Sequence, residues 1–392
     1  MEGASFVKIF YRIYTIKNCA HLWSAVHSHK IFVGVLLPLT ISARNWILFM
    51  NIKKDVLLSP MTTFRVGGKA DYFCEVKNIK ELDQALLFAR EKNLPFFVLG
   101  GGSNILVSDD GFPGLVIKMN LIGRSFDNLD NKKVRLEAWA GETWDDVVQE
   151  VVDRELYGIE NLSAIPGTVG ATPIQNIGAY GEEVKNTIAW VLVFDTEKNK
   201  LIKLNNEECQ FGYRHSLFKT KEGKNLIVLK VAYDLLKYGS FKIDYAGVKE
   251  YLVSNDVHNL DIKMVREAIV NIRKNKLPNL EMLGTAGSFF KNPIIPKDKS
   301  RRLRFLFPDM PLYYFNSEYD KTSAAWLLDK VGKWNGVFKE DVGVYEKQPV
   351  VIVNRGKAKA RDIFMLAREI VLDIEDKTGI LLEFEVNTVG EF

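Results

Sequence analysis

Between residues 78 and 89, Ile79, Leu82, Ala85, Leu86 and Ala89 recur at spacings of three and four, the period of a helix with one buried face. Asn78 is placed to cap that helix, and Glu81, three residues on, completes a capping box. Residues 95–99, 115–119 and 134–138 are short apolar runs of strand length. Thr143 then caps a second helix whose buried side is Val147, Val148, Val151 and Val152. Upstream, 64–76 reads as two short strands around the Gly67-Gly68 turn. After Tyr245 the pattern changes. A helix is predicted from Asp261 to about Lys274, and Lys276-Leu277-Pro278 leads into a new loop and strand. The last helix, 358–377, carries Ile363, Leu366, Ala367, Ile370, Val371 and Ile374 on one side. Helices mixed with short strands, without repeats or low-complexity tracts, give an α+β class.

Charge changes this picture only locally. The 392 residues hold 53 Lys and Arg against 49 Asp and Glu, a formal +4. Residues 1–49 alone contribute Lys8, Arg12, Lys17, Lys30 and Arg44 against Glu2, so the remaining 343 residues sum to zero. A neutral body has no basic stripe interleaved with aromatics, and nucleic acid is not an expected partner. The first 49 residues also hold an apolar run, 31–43, too short for the roughly 20 residues that span a bilayer. A signal or anchor and a partly buried accessory segment stay open for them. The leading expectation is an extension outside the fold, with Met50 the natural start and no stable membrane association.

Cys19, Cys74 and Cys209 are an odd, widely spaced set, which argues against a disulfide framework or a zinc site and for a reducing, cytoplasmic setting. No metal site is expected.

Two glycine-rich loops carry the chemistry. Leu99-Gly100-Gly101-Gly102-Ser103-Asn104 follows an apolar strand, and glycines there let consecutive amides converge on an anion. It is neither a Walker loop nor a Rossmann fingerprint, and by itself it serves equally as a tight turn. A second loop, Ile165-Pro166-Gly167-Thr168-Val169-Gly170-Ala171, runs into Pro173-Ile174-Gln175-Asn176-Ile177-Gly178-Ala179-Tyr180-Gly181. Small residues at that density suit close backbone approach to a flat ligand, so the pair favours a phosphate-plus-ring ligand.

LGGGSN, AIPGTVGATPIQNIGAYG, CQFGYR, GTAGSFFKNP and LLEFEV occur in this order. Together they resemble the UDP-N-acetylenolpyruvoylglucosamine reductase (MurB) family over about residues 51–388. The Tyr245 segment with IGAYG looks like the longer of its two forms. The resemblance implies an FAD-binding domain of the vanillyl-alcohol-oxidase (PCMH) type over 50–237, with two subdomains split near 118. It also implies a C-terminal α+β substrate-binding domain over 238–384 and a terminal strand, 385–392, that closes the active site. FAD would be held by Gly100, Gly101, Gly102, Ser103 and Asn104 of the first loop and by Pro166, Gly167, Gly170 and Ile174 of the second.

The reaction implied is NADPH-dependent reduction of UDP-N-acetylglucosamine enolpyruvate in peptidoglycan synthesis. Ser288 matches the family's proton donor, Arg214 its catalytic arginine and Glu385 its catalytic glutamate. Tyr180, Tyr245, Lys276, Asn292 and Gln348 match substrate contacts, and a monomer is expected. Phe384 stands where proline is more usual and His215 where aspartate is commoner. Two other readings stay open: another flavin oxidoreductase of the same cofactor fold, and a non-catalytic flavin-binding module.

Overall fold

The computed structural model describes residues 51–256 and 259–392; the segment 1–49, with its expected place outside the fold, lies beyond the described residues. Lys53–Leu57 (β1) runs antiparallel to Lys69–Val76 (β2). The helix Ile79–Glu91 (α1) follows, then Phe96–Leu99 (β3), Ile105–Val107 (β4) and Phe112–Met119 (β5). β5 takes β2 and β3 as parallel neighbours, in the sheet order β1-β2-β5-β3. α1 buries Leu82, Ala85, Leu86 and Ala89, as its spacing dictates. Asn78 accepts the Glu81 amide at 2.9 Å, while the Glu81 carboxylate reaches back to the Lys77 amide at 2.7 Å.

A strand before the Gly67-Gly68 turn is not formed. Arg65 and Gly67 take φ of 59° and 127°, so the backbone turns at both positions, and the ladder to β2 is made by residues 53–57 instead. Phe64 and Val66 are instead buried in the core of the C-terminal part, and the Asn354 amide nitrogen donates to the Phe64 carbonyl at 3.0 Å. β2 finds its antiparallel partner further upstream, in β1.

Arg124–Asn128 (β6), Lys133–Trp139 (β7), Ile188–Asp195 (β10), Lys200–Asn205 (β11) and Leu226–Leu236 (β12) build an antiparallel sheet ordered β11-β10-β12-β7-β6. Between β7 and β10 lie Trp144–Asp153 (α2), Ala171–Gln175 (α3) and the small hairpin Gly178–Ala179 (β8) with Glu182–Glu183 (β9). Trp144, Val147, Val148, Val151 and Val152 of α2 pack on Leu136, Val231 and Tyr233. Thr143 holds the N-cap position, without a side-chain cap bond. Ala246–Ser254 (α4) and Ile262–Lys276 (α5) share a small core of Val248, Leu252, Val265, Ala268 and Ile269. Asp261 caps α5 through the Met264 amide at 2.8 Å.

α5 is locked to α2 by Arg266, which is 8% exposed and bonds both Asp145 carboxylate oxygens at 2.7 and 2.9 Å. Burial alone would raise the Asp145 carboxyl; bonds from Arg266 and the Ala164 amide outweigh it and hold the group below its ordinary value. That stabilisation is present above the ordinary carboxylate range and is lost as pH falls through the depressed value. Asp145→Ala strands a buried guanidinium. The Asp145 side chain is 34% exposed, so the expected loss is about 2 kcal/mol rather than the ~3–5 kcal/mol of a fully buried pair, read by urea unfolding.

The remaining chain forms Ile294–Pro296 (β13), Lys297–Leu306 (α6), Leu312–Tyr314 (β14), Tyr319–Thr322 (β15) and Ala324–Trp326 (α7). Phe338–Lys339 (β16), Val342–Val344 (β17), Ile352–Asn354 (β18), Ala360–Thr378 (α8) and Asn387–Val389 (β19) complete it. Two three-stranded sheets, β13-β15-β14 and β16-β17-β18, pack with α8, whose Ile363, Leu366, Ala367, Ile370, Val371 and Ile374 are all buried. The Asp109 carboxylate caps α8 across the molecule, accepting the Ala360 and Arg361 amides at 2.8 and 2.9 Å. β19 returns to lie parallel to β4, directly after the first glycine-rich loop. Among the described residues no helix is long and apolar enough to cross a membrane. Nor does any group of three His, Cys, Asp or Glu side chains among them suit a metal ion.

Candidate active site

The two glycine-rich loops meet. A Cβ on Gly101 would lie 2.8 Å from the Gly167 Cα, so the backbones are already in contact. The Ser103 hydroxyl donates to the Pro166 carbonyl at 2.9 Å and ties the loops together. Gly102 adopts φ 67° and its carbonyl accepts the Thr63 amide at 3.1 Å. The amides of Gly101, Gly102 and Ser103 have no backbone acceptor among the described residues. Open N–H groups in a cradle that any side chain would fill match the donor set a diphosphate requires. Lys118 donates to the Gly100 carbonyl, and burial lowers its pKa against the opposing pull of Glu75.

Gly170 and Ile174 sit further back. The Gly170 amide donates to the Ala140 carbonyl at 2.9 Å, seating the second loop on the five-stranded sheet. Ile174, on α3, packs against that sheet's core, and its carbonyl accepts the Ser216 hydroxyl at 2.8 Å.

Arg214 and Glu385, remote in sequence, form an ion pair with Nε 2.8 Å from Oε1. A tight loop presents the arginine: the Gly212 amide donates to His215 O at 2.9 Å, the His215 amide to Gly212 O at 3.2 Å, and Arg214 takes φ 50°. His215 itself faces solvent. Asn176, left-handed at the end of α3, holds the Gly212 carbonyl at 2.8 Å. Arg214 Nη2 donates to Gly178 O at 3.1 Å. The Nε–H is close to Glu385 but not aligned with it, leaving a buried donor without a properly directed acceptor. Burial raises the Glu385 carboxyl above its ordinary range, opposed by Arg214, Lys219 and Lys291.

Glu385 also marks where three segments converge. Its amide donates to Phe289 O at 2.8 Å, one residue after Ser288. Its carbonyl accepts the Asn104 side-chain amide at 3.1 Å, which joins it to the first glycine-rich loop. Ser288 is half-buried, follows Gly287 at φ 74°, and bridges to Val351. Phe384 packs edge-on to Phe289 at 4.9 Å and Phe290 at 5.7 Å. The departure from proline therefore supplies an aromatic brace at the base of Glu385.

A second cluster lies along the continuation of β8. Tyr180 and Tyr245 meet edge to face at 5.5 Å. Lys276, at the end of α5, has its pKa lowered first by burial and then by neighbouring Arg273. Arg273 was not legible as a site residue. Its signal was its place three residues before Lys276, on the same helical face. It donates to Ala164 O at 3.2 Å, and burial lowers its pKa while Tyr180 and Asp145 oppose.

Asn292 and Gln348 reach the site less directly. The Asn292 side-chain carbonyl accepts the Ala324 amide at 2.9 Å, and its backbone amide donates to the Tyr213 hydroxyl at 3.3 Å, beside Arg214. Gln348 lies half-buried in the turn between β17 and β18, and its carbonyl accepts the amide of Val351, the bridge partner of Ser288.

Two family profiles match the chain: an FAD binding domain over residues 70–205, and the C-terminal domain of UDP-N-acetylenolpyruvoylglucosamine reductase over residues 278–389. The UDP-N-acetylenolpyruvoylglucosamine reductase of Pseudomonas putida is 40% identical over 335 residues, covering 86% of this chain and 98% of that protein. The chain belongs to the UDP-N-acetylenolpyruvoylglucosamine reductase family. The reductase of Bdellovibrio bacteriovorus is 38% identical over 336 residues, covering 86% of this chain and 99% of its own. The crystal structure of the Thermus caldophilus reductase superposes with a TM-score of 0.60 at 28% identity, covering 87% of this chain and all of that one. As a family member the chain is an oxidoreductase in which an FAD-binding domain precedes the reductase family's C-terminal domain. The two glycine-rich loops and the Arg214 loop fall outside the second profile, whereas Ser288 and Glu385 fall inside it.

Proposed function

We propose that the chain reduces UDP-N-acetylglucosamine enolpyruvate to UDP-N-acetylmuramate, with FAD as cofactor and NADPH as hydride donor. The observation that carries this is the convergence at Glu385 of Arg214, the Ser288 segment and, through Asn104, the first glycine-rich loop. The abutting loops fit FAD, with the open amides of Gly101, Gly102 and Ser103 holding its diphosphate. FAD, when bound, supplies the carrier that passes hydride from NADPH to the vinylic methylene carbon.

The protein's own share is charge, position and one proton. Hydride addition leaves negative charge on the neighbouring carbon and its carboxylate. The Arg214 guanidinium, whose Nε–H lacks an aligned acceptor, binds that charge. The Ser288 hydroxyl gives its proton to the enolic carbon. Glu385 hydrogen-bonds the enol form and hands a second proton, replenished from solvent, to the alkoxide left on Ser288. Tyr180, Tyr245 and Lys276, with Arg273, hold the substrate diphosphate, and Asn292 and Gln348 offer polar groups to its sugar and base. In this reading residues 50–237 hold the cofactor, and residues 238–384 with the terminal segment 385–392, which carries β19, hold the sugar nucleotide. The enzyme works as a cytoplasmic monomer, and loss of its product disturbs cell-wall synthesis, cell shape and division.

The test is anaerobic mixing of the flavin-loaded protein with NADPH and then with UDP-N-acetylglucosamine enolpyruvate. Bleaching of the flavin band by NADPH and its return with the enolpyruvyl sugar are expected. Return with dioxygen alone would indicate an oxidase of the same cofactor fold. A band that never bleaches would indicate a binding module.

A further inference from the structure

Lys219 is a half-buried cation with no part in the reaction as derived above. It ends a single helical turn, Leu217–Lys219, directly after the Arg214 loop. Its ammonium donates to Gln175 Oε1 at 3.1 Å and to the backbone carbonyl of Arg214 at 3.4 Å. Gln175 is itself buried, at the end of α3, next to the Asn176 that holds the other carbonyl of the same loop. The left-handed Arg214 is thus fastened on both sides, by Asn176 at Gly212 and by Lys219 at its own carbonyl. A non-glycine residue leaves that conformation readily unless its neighbours fix it.

We propose that Lys219 is a positioning residue for the reduction: through the Arg214 carbonyl and Gln175 it fixes the loop from which Arg214 meets Glu385, and its charge faces the same carboxylate. The inference rests on the function proposed above and adds a residue to it. The charges around Glu385 are defined. Arg214 and Lys219 come from the segment before β12, and Lys291 from the segment after Ser288. Glu383 pairs with Lys291 at 2.8 Å, and the half-buried Tyr213 phenol feels the charges of Arg214, Glu385 and Glu183. Lys219 itself is pushed toward the neutral form by burial and by Lys291 and Arg214, and toward the charged form by Glu385 and Glu383. Removing it takes away one of three cations that oppose protonation of Glu385, while Arg214 loses an anchor.

The test uses Lys219→Met, with Lys219→Arg as the conservative variant, in the flavin-loaded full chain. The first readout is a carbon-13 NMR titration of glutamate carboxyls, with Glu385→Gln to assign the resonance. The Glu385 titration is expected to move up in Lys219→Met and to return in Lys219→Arg. The second readout separates the two half-reactions. Reoxidation by the enolpyruvyl sugar is expected to slow ~10-fold or more, with bleaching by NADPH unchanged. An unmoved Glu385 titration overturns the inference, as does an equal fall of both half-reactions in both variants. Should Lys219→Met fail to bind flavin, Lys219→Gln replaces it under the same two criteria. Wild-type protein that bleaches with NADPH but ignores the enolpyruvyl sugar would instead overturn the proposed function, and the NMR titration would still decide the role of Lys219.

Discussion

Ser288→Ala is expected to slow reoxidation by the enolpyruvyl sugar by about 10²–10⁴-fold, the span of a positioned acid or base, while flavin content and bleaching by NADPH stay as in the wild type. The physical reason is the asymmetry of the two half-reactions. NADPH oxidation needs no proton on carbon, whereas reduction of the enol ether leaves a carbon that must receive one. Ser288 stands one residue before the Phe289 carbonyl that binds the Glu385 amide, so its position is tied to the segment carrying the glutamate. Gly287 at φ 74° turns the chain just before it. Alanine preserves both backbone features and removes only the hydroxyl. Single-turnover stopped-flow measurements of each half-reaction check this. A uniform loss in both would show that Ser288 shapes the fold, and full retention would show that another group delivers the proton.

Gly101→Val is expected to strip the protein of flavin while leaving the polypeptide folded. The new Cβ would stand 2.8 Å from the Gly167 Cα, a backbone atom with no side chain to swing aside. The loops must separate, and the cradle of open amides widens. Overpacking of this kind costs about 1–3 kcal/mol, which corresponds to roughly 5–150-fold weaker FAD binding. The half-buried loop lies outside the hydrophobic cores, so thermal unfolding of the apoprotein is expected to change little. Flavin titration followed by fluorescence quenching, beside a melting curve of the apoprotein, separates the outcomes. Undiminished affinity would mean that the diphosphate is held elsewhere.

The four amphipathic helices α1, α2, α5 and α8 were legible because each buries a single stripe, and spacing alone locates that stripe. β1 was not. Lys53-Lys54-Asp55-Val56-Leu57 is a polar edge strand with no buried residue among its five, so neither alternation nor an apolar run marks it. The error at 64–68 has the opposite origin. Phe64 and Val66 alternate as a strand would, but their burial is supplied by a distant part of the chain and the backbone bends to deliver them. In the site, the glycine-rich loops were visible one at a time, whereas their contact depends on tertiary packing. The resemblance suggested Arg214 and Glu385; their pairing, and the nearness of Lys219 to Glu385 and of Arg273 to Tyr180, come from segments far apart in sequence. His215 and Phe384, which depart from the family's usual aspartate and proline, leave the proposed catalytic side chains in place: one faces water and the other packs on phenylalanines.

The parallel pairing of β19 with β4, and the Asn104 bond to Glu385 across 281 positions, fix an order of events in synthesis. The loop proposed for the cofactor leaves the ribosome well before the residues that brace it, which follow 281 positions later. Contacts of such long range are slow to form. The nascent chain therefore carries a half-built flavin site until residues 385–389 have emerged and paired.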